Sequence, residues 1–117
     1  MKIALERVNK DYLFQATNPN GHQVLLDNKS KTTGEVQGIS PMELILMGVA
    51  GCSSIDIVAI LNKQKINPTS LKMEVEGLRH EGAVPALFYQ IDITIHLEGD
   101  FSAEKAKRAA QLSFEKY

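Results

Sequence analysis

Cysteine is nearly absent from this sequence: Cys52 is the only one in 117 residues. That excludes an internal disulfide framework and any zinc cage built on several thiolates. Charge of one sign is also lacking. Lys and Arg number 13 against 14 Asp and Glu, the formal net charge is -1, and no run of cations interrupts the mixture. Nucleic acid is therefore not an expected partner, since its footprint needs clustered Lys and Arg. Long hydrophobic runs are missing as well. The longest, Leu44 to Cys52, is nine residues and is followed by Ser53, Ser54 and Asp56. A bilayer span needs about twenty, so no membrane partner is expected. The first residues, Met1-Lys2-Ile3-Ala4-Leu5-Glu6-Arg7, meet charge before an apolar stretch develops, unlike a secretory leader. The expected setting is a reducing, cytoplasmic compartment.

What is present suits one globular domain over 1–117. Apolar residues make up 44%, and a chain this size buries roughly two-thirds of its unfolded surface, enough for a modest core. Lys2–Val8 alternates weakly, and Tyr12–Thr17 and His22–Asp27 flank Asn18-Pro19-Asn20-Gly21, whose residue types favour a hairpin turn. Asn28 to Gly38 reads as a loop. Ser40-Pro41-Met42-Glu43 then starts a helix. Ser40 is the N-cap, Pro41 takes the first helical position, and Glu43 reaches back to the Ser40 amide in a capping box. The helix runs to about Lys63. Its first turns are apolar all round, which predicts burial on every side, with Gly48, Gly51 and Cys52 inside and the two glycines admitting a close backbone.

Two longer strands follow. Ser70–His80 sets Leu71, Met73, Val75 and Gly77 against Lys72, Glu74 and Glu76, and Phe88–Leu97 sets Ile91, Ile93, Ile95 and Leu97 against Gln90, Asp92, Thr94 and His96. Such alternation belongs to antiparallel strands with one wet face. A last helix starts at Ser102, with an apolar stripe of Ala103, Ala106, Ala110, Phe114 and Tyr117. The class is α+β.

Cys52 has two readings. Free cysteine is often a small core hydrophobe; a reactive thiolate needs an access path and a neighbouring cation. The helix dipole gives no help three turns from its start. Asp56, one turn on, falls on the same face; a carboxylate on a buried helix is either paired in the core or lines the Cys52 pocket. Arg79 is either an exposed strand residue or the pocket cation. His22, His80 and His96 lack metal-ligand spacing, so no metal is expected.

The stretch from Ser40-Pro41-Met42-Glu43-Leu44 through Gly51-Cys52-Ser53-Ser54-Ile55-Asp56 resembles the central-helix motif of the OsmC/Ohr superfamily. The order of elements matches over nearly the whole chain. Gly77-Leu78-Arg79, Pro85, Phe88 and the Ile-rich strand ending at Gly99 resemble its YhfA-like branch in particular. The resemblance implies a bent antiparallel sheet around a long buried central helix, an intertwined homodimer, and no cofactor. It also implies peroxidase chemistry in which Cys52 attacks an organic hydroperoxide and is restored by an external thiol or lipoyl reductant. The rival reading is a non-enzymatic member that binds a small apolar ligand or senses oxidants; a third is a structural dimer with an inert thiol. Two departures bear on this. The position directly after Pro41, where the family's peroxidases carry Glu, is Met42, and the family's second, resolving Cys has no counterpart here. Since Phe114 and Tyr117 close the sequence without a helix-stop signal, the resolving Cys and a final strand are expected to lie beyond Tyr117.

Overall fold

The Asn18-Pro19-Asn20-Gly21 turn forms as its chemistry dictates. Gly21 adopts φ +88°, its amide donates to Asn18 O at 3.0 Å, and the Asn18 side-chain oxygen accepts from the Asn20 and His22 amides. The structure, a computed structural model, describes residues 1–32, 34–82 and 87–115. Pro85, and Tyr117 of the expected stripe, lie outside the described residues. The elements are β1 (Ala4–Arg7), β2 (Phe14–Thr17), β3 (Gln23–Leu26), α1 (Pro41–Lys63), β4 (Ser70–Arg79), β5 (Phe88–Glu98) and α2 (Ala103–Glu115). They belong to two compact units, Met1–Ile45 and Leu46–Tyr117, with the division inside α1.

In the first unit, β1-β2-β3 form an antiparallel meander. Leu13 and Ala16 are its buried apolar residues. The loop after β3 is tied down by Asp27, whose side chain is fully buried. Its carboxylate accepts from the Asn28 amide at 2.7 Å, the Gln37 amide at 2.9 Å and Lys31 Nζ at 3.0 Å. The Gln37 amide above all, and then the Lys31 ammonium, hold the Asp27 carboxyl below its ordinary value, and the same hydrogen bond raises Lys31. Beyond this clamp Ile39 pairs with β3, donating its amide to Leu25 O at 2.8 Å and accepting from the Asp27 amide at 3.0 Å. Gly38 fits there only because it has no side chain: a Cβ would lie 2.8 Å from the Leu25 carbonyl carbon and oxygen.

The second unit packs β4, β5, α2 and most of α1. The β4–β5 register places Leu71 opposite Leu97, Met73 opposite Ile95 and Val75 opposite Ile93. These half-buried residues alternate with exposed Lys72, Glu74 and Glu76, as the sequence pattern implies. The core gathers around Ile57, Leu61 and Ala109. α1 covers the expected residues and ends in a motif the sequence reading did not contain. Ile66 N donates to Leu61 O and Lys65 N to Asn62 O, the paired bonds of a Schellman cap, with Lys65 at φ 58° where glycine is the usual occupant. Ser102 caps α2, its Oγ accepting from the Lys105 amide at 3.3 Å.

Three expectations need correction. First, within the expected α+β class the five strands are divided between two antiparallel sheets, β1-β2-β3 and β4-β5. Second, α1 is not buried on all sides. Only Ser53, Ile57 and Leu61 are fully covered, while Gly48, Gly51 and Cys52 are exposed. A two-stranded sheet and one short helix can cover a single arc of a helix, and the apolar remainder, including Met47 and Ile55, faces outward. No described atom lies within 4 Å of a Cβ placed on Gly48 or Gly51, so among the described residues no other backbone approaches them. By length and composition α1 could also cross a membrane, although Ser53, Ser54 and Asp56 interrupt it and its Ser53–Ile57–Leu61 arc lies on protein. Third, the buried stripe of α2 centres on Ala109 and Ser113, with Ala103 exposed and Phe114 40% exposed. Ser113 is buried, and its Oγ is satisfied there by donating to Ser53 O at 3.3 Å.

Candidate functional site

Cys52 sits exposed about three turns into α1, next to the buried Ser53. Its thiol opens on a cavity of about 470 Å³ lined by Gly48, Val49, Cys52, Ser53, Ile93 and Phe114. That volume is within the usual range for small-molecule sites, which are mostly apolar with few polar groups. α1 supplies the floor: Gly48, Val49, Cys52 and Ser53 recur at three- and four-residue steps along one face. β5 supplies Ile93, and the last turn of α2 supplies Phe114. An exposed thiol beside apolar walls can reach an uncharged organic molecule. Among the described residues no Lys or Arg lines this cavity.

The other sequence candidates lie elsewhere. Asp56 is half-buried one turn past Cys52 but does not line the cavity; its Oδ2 is buried with no hydrogen-bond partner among the described residues. Arg79 is exposed at the end of β4, with its guanidinium 5.8 Å from the centre of the Phe88 ring, and also stays outside the cavity. Glu43 performs the capping role, accepting from the Ser40 amide at 3.2 Å and standing 3.8 Å from Lys29 Nζ. It lies nine positions before Cys52 on the same helix, about 13 Å along the axis and on roughly the opposite face.

The histidines stay apart. His80 stacks on Tyr89 with ring centres 4.2 Å apart, His22 neighbours Asn18, and His96 is exposed on β5. Among the described residues no group of three or more His, Cys, Asp or Glu is placed to hold a metal. The sequence reading missed the Asp27–Lys31 clamp, although an acid followed four residues later by a lysine was its visible trace. Phe114 entered that reading only as part of a packing stripe; no periodicity could place it beside a thiol 62 positions away.

Comparison with known proteins fits this arrangement. Residues 32–117 match the family model described as OsmC-like protein. Protein YhfA of Escherichia coli K12 is 36% identical over 105 residues, covering 89% of this chain and 75% of that protein. A crystal structure of a hypothetical protein from Aquifex aeolicus VF5 superposes with TM-score 0.84 at 27% identity, over 99% of this chain and 80% of that one. The organic hydroperoxide resistance protein OhrB of Bacillus subtilis shares the fold, with TM-score 0.62 and 19% identity, over 98% of this chain and 83% of that chain. Matched by that family model over most of its length and 36% identical to YhfA, the chain belongs to the OsmC-like family.

Proposed function

We propose that this protein is a thiol-dependent redox protein that reduces organic hydroperoxides through Cys52. The observation that carries this reading is the exposed single thiol at the floor of an apolar cavity. The Cys52 thiolate attacks one peroxide oxygen; an S–O bond forms as the O–O bond breaks, and the departing alkoxide takes up a proton to leave as an alcohol. Cys52 is then a sulfenic acid. An external thiol or lipoyl dithiol condenses with it, releasing water and forming a mixed disulfide. A second thiol of the reductant displaces Cys52 and leaves as the oxidised disulfide. Peroxide is reduced by two electrons and the dithiol oxidised by two, so no cofactor is needed.

The working form is a homodimer in a reducing, cytoplasmic setting. Support comes from the outward face of α1, where Ile55 is 72% exposed beside the open Gly48 and Gly51. Monomeric proteins seldom leave such a continuous apolar surface in water.

A second reading, non-enzymatic binding of an apolar ligand or oxidant sensing, draws support from two observations. Glu43 is engaged in its cap and no cation lines the cavity among the described residues. Turnover separates the two. Purified protein given cumene hydroperoxide and dihydrolipoamide should consume many equivalents of peroxide, and Cys52→Ser should consume none. One equivalent and no more would favour the sensor, and none at all would leave ligand binding.

A further inference from the structure

We infer that the cavity between the end of β5 and the first turns of α2 is a binding site for an apolar α-amino acid, separate from the Cys52 cavity. Its volume is about 560 Å³, against about 470 Å³ beside the thiol, and the two share no residue. Its apolar walls are Ile95 and Leu97 from β5, Phe101 from the connection, and Ala103, Ala106 and Ala110 from α2. A space of this size, apolar with a few polar groups, suits a small organic molecule. One end of it is firmly built. The Phe101 ring lies on Gly99, where a Cβ would come 2.6 Å from the ring edge. Thr69 ties down the end of the strand, donating its amide and its hydroxyl to Glu98 O at 2.8 and 3.1 Å.

Two charges decide the ligand. Glu98, the last residue of β5, and Lys107, in the second turn of α2, line the cavity from different elements. Among the described residues neither joins an ion pair, with the other or with a third group. An organic acid would be drawn by Lys107 and repelled by Glu98, and an amine the reverse. A molecule carrying both charges meets two attractions. Ala103, which opens α2, also lines the cavity, so the positive end of the helix dipole lies on the same side as Lys107. The ligand's carboxylate therefore goes to α2 and its ammonium to Glu98, leaving an apolar side chain to cover Ile95 and Leu97. A free apolar amino acid has this combination, whereas either end of a peptide carries only one of the two charges.

The test is a titration of the isotope-labelled full chain followed by amide chemical shifts. L-Leucine is compared with isocaproate, which lacks the ammonium, and isopentylamine, which lacks the carboxylate. L-Leucine should shift the amides of Leu97, Ala106 and Lys107 to saturation and bind about threefold or more tightly than either analogue, the scale of one exposed ion pair. Lys107→Gln should lower its affinity to that of the amine, and Glu98→Gln to that of the acid. Both side chains are exposed, so these variants keep the fold. Ala106→Leu fills the cavity and should abolish the shifts. Either analogue binding as tightly as L-leucine overturns the proposal. So does L-leucine leaving these amides unmoved up to its solubility limit, or moving them equally in Lys107→Gln and Glu98→Gln.

Discussion

Replacing Gly38 by Ala tests how the loop ahead of α1 is built. A Cβ at this position would lie 2.8 Å from both the carbonyl carbon and the oxygen of Leu25, and 2.9 Å from the Leu26 carbonyl carbon. All three atoms are main chain, so no rotamer change relieves the contact; β3 or the 38–39 segment must move. The bonds that hold them together are Ile39 N to Leu25 O at 2.8 Å and Asp27 N to Ile39 O at 3.0 Å. Losing two backbone hydrogen bonds at about 1 kcal/mol each, with residual strain, sets the expected loss at about 2–3 kcal/mol. Urea denaturation measures it, and amide exchange at Asp27 and Ile39 locates it. Val36→Ala, an exposed change in the same loop, should stay within about 0.5 kcal/mol. If Gly38→Ala is equally silent and both amides keep their protection, the close approach described here is wrong.

Two other perturbations probe the clamp and the cap. Asp27 has a carboxyl held below its ordinary 3.8 and Lys31 an ammonium held above its ordinary 10.5. The stabilisation from Asp27 is therefore complete above about pH 4 and lost as pH falls through its lowered value. That from Lys31 is complete below about pH 10 and lost as pH rises through its raised one. Asp27→Asn should flatten the acid limb of a stability–pH curve recorded by thermal melting, and an unchanged limb would assign acid lability to other groups. Glu43→Gln should alter stability by no more than about 1 kcal/mol and leave the rate of Cys52 alkylation as it was; a changed rate would return Glu43 to the thiol's surroundings.

Much of the backbone was legible in the sequence because its signals are local. Ser40-Pro41-Met42-Glu43 marked the start of α1, Asn18-Pro19-Asn20-Gly21 the β2–β3 hairpin, and alternation from Leu71 to Gly77 the inward face of β4. The end of α1 was hidden because Lys65 takes a conformation for which glycine is the recognised sign. Burial of α1 was misjudged for a different reason. An apolar surface shows that a helix needs cover, whereas the pattern cannot show how much of that cover its own chain provides. Cys52 was found through its motif. Its cavity was not, since Ile93 and Phe114 come from β5 and α2, far from Cys52 in sequence, and α2 meets α1 through Ala109 and Ser113, residues too small to stand out in any hydrophobic pattern.

Every strand in both sheets pairs with its neighbour in sequence, and this bears on how the chain survives its own synthesis. Hairpins between consecutive strands close within about 10 μs, so β1, β2 and β3 can assemble almost as soon as they emerge. α1 follows, but everything that covers its Ser53–Ile57–Leu61 arc is translated afterwards, up to Glu115. At ordinary elongation rates of about 5–20 residues per second, that leaves an apolar 23-residue helix waiting about 3–10 s for its sheet and α2 together. The hazard for this fold is therefore cotranslational, an interval in which holding chaperones and slow codons matter more than the stability of the finished molecule.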